Sequence, residues 1–300
     1  MDAKIVPFQQ LRESMNQEIA DRTKAHQAKI SRLKTAISTR TALAAPAPIQ
    51  PLVMLAHGDS WFDYPLDGNS PSFTHTDVTV QLQSMGTINP HILNLSQWGD
   101  ATTAEMCLPK QQKMIAALGD PSNWIGTLPD AILFSGGGND IAGDQFCIFL
   151  DYAATSPTGL DTTRFQEALG TVEASYKDLF AFRDRYAPKV PIFGHCYDFP
   201  IPNGRGACPN VGPWLQPSLI FCGCNDTTQG AAIVKQALKE FRALLVSLAG
   251  VSTNNFFLVD TQLTLDPADW ANELHPYPPG FQKIATKFVT SLRAQFPNRI

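Results

Sequence analysis

Past residue 50 the chain alternates between two rhythms of apolar and polar positions. Short apolar runs recur at 52–57 (LVMLAH), 91–96 (HILNLS), 131–136 (AILFSG), 191–196 (PIFGHC) and 256–260 (FFLVD). Each is too short for an ordinary helix and is bounded by turn formers, so each is expected to be a buried strand. Between them, 101–118, 162–186, 228–248 and 281–296 carry apolar residues at helical spacing. Strands that alternate with helices of this length predict right-handed βαβ units, and therefore a parallel sheet covered on both faces. The expected class is α/β.

The first forty residues read differently. Leu11, Met15, Ile19, Ile30, Leu33 and Ile37 sit among charged and amide residues over 8–43, the pattern of one long amphipathic helix with a thin apolar stripe. TALAAPAPIQP, residues 41–51, follows as a stiff Ala/Pro linker. The reading is an arm over 1–45, a linker over 46–51 and a domain over 52–300. The arm either packs on the body, self-associates, docks on a partner chain, or stays solvated.

Composition narrows the partners. With 44% hydrophobic and 17% charged residues and a formal charge of -4, the chain is an ordinary globular protein without the basic surface that nucleic acid requires. No apolar run approaches the roughly 20 residues of a membrane helix. The first forty residues contain no apolar core of a cleavable signal, which favours a soluble, cytoplasmic protein and leaves the compartment open. Cysteines stand at 107, 147, 196, 208, 222 and 224, and a disulfide is expected among Cys208, Cys222 and Cys224. The CGC triplet with His195 matches no common zinc spacing, so neither a metal nor a cofactor is expected.

In an open parallel sheet, ligands bind beyond the carboxyl ends of the strands. The first run leads into HGDSWFDYP (57–65), the second into Gln97-Trp98-Gly99-Asp100, the third into Gly136-Gly137-Gly138-Asn139-Asp140, and the last, after a loop, into DWANELHP (269–276). Asp59 and Ser60 could simply cap a helix. The alternative is that Ser60 is a nucleophile activated by a histidine brought to the same edge, His275. The glycine-rich run has no following Lys and no G-x-G-x-x-G pattern, which argues against nucleotide binding.

These four blocks, GDS, the Gly of NLSQWGD, GGND and the His of ELHP, resemble those of the SGNH or GDSL hydrolase superfamily over about residues 52–290, and HGDSWFDYP is similar to a bacterial subgroup of it. The resemblance implies a three-layer α/β/α sandwich around a mainly parallel five-stranded sheet of flavodoxin-like type. It further implies a serine esterase acting on a small-molecule ester, with Ser60 as nucleophile and His275 as base. The oxyanion donors it implies are the backbone N–H groups of Ser60 and Gly99 and the side-chain amide of Asn139. There is no G-x-S-x-G around Ser60, so the nucleophile elbow of the α/β-hydrolases is not expected.

One position departs from the family pattern. Three residues before the histidine, where the family carries Asp, stands Asn272. An amide oxygen can orient the imidazole but cannot neutralise the imidazolium. Asn272 is the expected orienter, with Asp269 curling back as second choice; Glu273, or a backbone carbonyl in a dyad, remain open. A binding protein that has lost catalysis and an acyltransferase using the same residues are the competing readings. Trp61, His195 and Tyr197 are candidate substrate-wall residues, His195 being equally a structural histidine. Phe62, Tyr64 and His57 read as core, Asp59 and Asp140 as loop-holding caps, and 200–227 as a specificity loop or lid.

Overall fold

Phe256 and Phe257 stand side by side on the last strand and enter different layers. Phe256 packs on Tyr176 and Phe180, whereas Phe257 stacks on Phe193, whose ring meets Phe296. Successive strand side chains point to opposite faces, so a strand apolar at every position must be covered twice. The computed structural model, which describes residues 5–43, 49–66, 75–209 and 211–300, shows that arrangement.

Five strands, β1 (Val53–Gly58), β2 (His91–Asn94), β3 (Ala131–Ser135), β4 (Ile192–His195) and β5 (Phe256–Val259), form one all-parallel sheet in the order β2-β1-β3-β4-β5. Leu55 pairs with Leu93 on one side and Ile132 on the other, and Phe193 pairs with Leu133 and Phe257. The helices are α1 (Ile5–Ala42), α2 (Val78–Leu82), α3 (Thr102–Glu105), α4 (Leu108–Gly119), α5 (Gly138–Ile141), α6 (Thr162–Tyr186), α7 (Gln216–Phe221), α8 (Thr227–Ala249) and α9 (Pro278–Gln295). Phe288 of α9 packs on Phe62 and His195, while Tyr176 of α6 packs on Phe134, which gives the three-layer α/β/α sandwich.

The helix expected over 101–118 is two helices. Pro109 lies in the first turn of α4, where its missing N–H costs nothing, and the chain breaks at Cys107 to place it there. The expected disulfide is absent: all six cysteines are free, with Cys222 and Cys224 buried and Cys208 exposed. Residues 44–48 of the Ala/Pro stretch lie outside the described residues.

The N-terminal helix lies against the body beside β2. Ile19 and Ile30 are buried, and His26 Nε2 meets the Asn123 carbonyl at 2.8 Å. Gln27 donates to Asp120 and Asn123, and Lys34 to the Pro121 carbonyl. Leu11, nearer the start of the helix, is exposed, so among the described side chains the stripe is buried along the middle of the helix.

Beneath the loop that follows β3 lies a buried carboxyl, Glu105. A side-chain atom added at Gly136 would meet its Oε2 at 2.3 Å, so glycine there makes room for the acid. Neither carboxyl oxygen has a hydrogen-bond partner among the described residues, and burial, with Asp59 and Asp140 nearby, pushes its pKa well above the ordinary value. The unfolded chain ionises this group near pH 4.5 and the folded one does not, so its contribution to stability is lost as pH rises above that value. Glu105→Gln is therefore expected to melt higher than wild type at pH 8, with the difference shrinking toward pH 4.5. A difference that stays constant over this range in thermal unfolding would show that Glu105 ionises as freely in the native state.

Candidate active site

Gly58 ends β1 with φ +150°, and a Cβ there would strike the Ser135 carbonyl at 2.3 Å; only glycine lets β1 run this close to β3 before the chain turns. The turn that follows is tight, with Phe62 and Asp63 N–H both donating to the Asp59 carbonyl at 3.1 Å. It lifts Ser60 over the carboxyl edge of the sheet.

From the other end of the sequence, DWANELHP folds back on itself. A bridge joins Trp270 to Pro276, and the Ala271 and Asn272 N–H groups both donate to the His275 carbonyl. Inside this turn Asn272 Oδ1 accepts the backbone N–H of Leu274 (3.0 Å) and of His275 (2.9 Å), and meets His275 Nδ1 at 3.3 Å. The amide nitrogen donates to the Tyr64 hydroxyl at 3.2 Å. Donors on one side and an acceptor on the other decide which way the amide faces. Because Oδ1 can only accept, Nδ1 carries the ring proton and Nε2 presents its lone pair. That nitrogen is 2.7 Å from Ser60 Oγ. The Nδ1 contact is long because one oxygen serves three donors.

The other candidates for orienting the ring are engaged elsewhere. Asp269 Oδ2 accepts the Asp266 N–H (2.7 Å) and the Lys283 ammonium (2.6 Å) in a capping box, so it does not curl back to His275. Glu273 is fully buried and accepts the backbone N–H groups of Gly204, Trp214, Leu215 and Gln216 at 2.6–3.1 Å. It clamps the 200–227 loop over the site, where Trp214 lies edge-on to the His275 ring. Burial lowers His275 to about 3, so the ring is a neutral but weak base at pH 7.

His195 does not form part of the pocket wall. It is fully buried, and its Nε2–H donates to Ser135 Oγ (2.8 Å), whose hydroxyl donates to Asp59 Oδ1 (2.6 Å). Asp59 also accepts the Trp61 N–H and the Tyr197 hydroxyl, so this chain of bonds holds the residue next to Ser60 from below. Burial raises Asp59 to about 6, with the hydroxyl donors of Ser135 and Tyr197 pulling against it. Asp140 accepts the N–H and hydroxyl of Thr102, securing the start of α3. His57 is buried, with Nε2 on the Glu105 carbonyl.

Ser60 and His275 open into a mainly apolar cavity. Trp61, Asn139 and Tyr197 line it as well; Gly99 and His195 do not. Gly99 is exposed, with φ +80° and no described residue where a side chain would lie. Its neighbour Asp100 accepts the Asn139 side-chain N–H at 2.9 Å, which ties the two expected oxyanion segments together and leaves the second amide hydrogen of Asn139 uncommitted by that bond. The far wall comes from Phe146 and from Val234, Ala237 and Leu238 of α8. The sequence did not mark these residues as functional, because on a helix they read as ordinary core periodicity.

No protein-family model matches the chain, and no curated protein matches it. Solved structures do. An extracellular lipase from Streptomyces rimosus superposes with a TM-score of 0.51 at 17% identity, covering 79% of this chain and 98% of that one. A lipase/acylhydrolase from Enterococcus faecalis aligns at 0.42 and 14% identity over 81% and 96% of the two chains. A mutant form of an acetyl-xylooligosaccharide esterase from Geobacillus aligns at 0.39 and 17% over 81% and 94%. From the all-parallel five-stranded sheet and its likeness to the lipase, this chain has a three-layer α/β/α fold that it shares with the Streptomyces rimosus enzyme.

Proposed function

We propose that the protein is a serine carboxylester hydrolase that works through an acyl-enzyme on Ser60, with His275 as general base and Asn272 as its neutral orienter. The observation that carries this reading is the 2.7 Å contact between Ser60 Oγ and His275 Nε2 at the mouth of a cavity, between residues 215 positions apart. As Ser60 attacks an acyl carbonyl, His275 Nε2 takes its proton and returns it to the leaving alcohol; water, deprotonated by the same nitrogen, then opens the ester. The Ser60 N–H, the Gly99 N–H and the free Asn139 amide hydrogen are the donors for the oxyanion, each worth roughly 3 kcal/mol in comparable sites. Ser60→Ala is expected to reduce p-nitrophenyl acetate turnover to the uncatalysed level while leaving the melting temperature within a few degrees of wild type. Activity that survives the substitution refutes the assignment.

The cost of the asparagine lies in the charged state of the ring. Buried, and with no described carboxylate against its ring, His275 stays neutral far below pH 6.5, so its protonation does not limit activity near neutrality. Asn272→Asp supplies the missing charge and raises the ring's basicity. The acid limb of kcat/KM should move up by roughly one to three pH units, and kcat at pH 8 should rise on the order of tenfold. Asp59, which titrates about 6, is common to both proteins and cancels in the comparison. Superimposable profiles would mean that residue 272 does not act on the ring.

The cavity favours an ester with an apolar acyl chain over an acetylated sugar, since the wall beyond Ser60 offers Leu215, Val234, Ala237 and Leu238 and few hydrogen-bonding groups. Ala237→Phe should lower turnover of a p-nitrophenyl octanoate at least about tenfold relative to the acetate, the discrimination that a filled apolar pocket imposes. An unchanged chain-length profile places the acyl group elsewhere.

A further inference from the structure

The last aspartate of HGDSWFDYP, Asp63, has no part in the chemistry just described, yet it is buried and sits one turn beyond Ser60. Its Oδ1 accepts Arg22 Nη1 of α1 at 3.0 Å, and its Oδ2 accepts the backbone N–H of Trp98 at 3.3 Å. A second nitrogen of the same guanidinium, Nη2, reaches the Ser96 carbonyl at 3.4 Å. One side chain of the N-terminal helix thus holds the turn that carries Ser60 and both sides of the segment leading into Gly99.

Gly99 needs such support. It is exposed and no described residue packs where its Cβ would be, so its placement depends on the residues on either side. Asp100 is held through its carbonyl by Asn139 and through its carboxylate by Lys110. Trp98 is held through its N–H by Asp63. We propose that Arg22 is a positioning residue for the oxyanion loop, acting through Asp63 to fix Trp98 and hence the Gly99 N–H. The proposal rests on the serine-esterase reading for its kinetic consequence alone. It gives the arm a task inside the catalytic unit. A buried carboxylate deprived of its guanidinium is costly to keep charged, and it relaxes by protonating or by drawing in water, either of which loosens Trp98.

The test compares Arg22→Ala, Arg22→Lys and Lys34→Ala. Lys34 also ties the arm to the body, through the Pro121 carbonyl, but touches neither Asp63 nor the loop. On p-nitrophenyl acetate, Arg22→Ala should lower kcat by roughly tenfold with KM within about twofold, the pattern of a misplaced transition-state donor. Arg22→Lys, which keeps the charge but not the two-pronged grip, should fall between Arg22→Ala and wild type. Lys34→Ala should match wild type. Amide hydrogen exchange should quicken over 97–100 in Arg22→Ala and stay unchanged over 204–216. If Arg22→Ala keeps kcat within twofold, or Lys34→Ala loses as much as Arg22→Ala, or exchange at 97–100 is unaltered, the proposal is overturned. Wild-type protein without ester turnover would overturn the esterase reading and the kinetic half of this proposal, and the exchange measurement then judges the Arg22–Asp63 link by itself.

Discussion

A single neutral oxygen, Asn272 Oδ1, is the constraint on which the site depends. It accepts two backbone N–H groups of its own turn and faces the histidine ring at once. A carboxylate at that place could give one oxygen to the backbone and the other to the ring. The amide has one acceptor for both, which stretches the ring contact to 3.3 Å. Orientation survives this substitution because it needs only an acceptor, while stabilisation of the imidazolium needs charge. Under the proposed function the site therefore orients its histidine and works with a weaker base.

The scaffold supports that geometry with buried polar groups. His195, Ser135, Asp59 and Tyr197 form one hydrogen-bonded chain beneath Ser60, and Tyr197 accepts φ +55°, an unfavourable backbone angle for a tyrosine, at its end. Glu273 collects four backbone N–H groups of the loop above. In a dry interior such bonds gain strength, and each group left unpaired would be costly, so the network fixes a single arrangement. Asp198, buried as well, does the same for the chain entering the last loop by accepting the N–H groups of Leu263, Thr264 and Leu265.

The strands, their order of use and the meeting of Ser60 with His275 were legible because they follow from short apolar runs and from what comes directly after each run. Other features were not, for specific reasons. Pro109 splits a helix whose periodicity runs on through it. Lys283, fourteen residues downstream, takes Asp269 away from the histidine, and nothing local announces it. His195 read equally as a wall residue and as a structural histidine, and only the pairing of β3 with β4, which sets Ser135 beside it, decides for the second. Arg22 was one charge among many on the arm. Contacts made across long stretches of chain are decided by packing, which a linear pattern carries only weakly.

The central claim is that Ser60 is the activated alcohol. The most direct measurement is reaction of the intact protein with a fluorophosphonate, followed by peptide mapping by mass spectrometry. One adduct is expected, on the peptide containing Ser60, absent after His275→Ala. An adduct on any other residue, or labelling of Ser60 that is indifferent to the loss of His275, would contradict it.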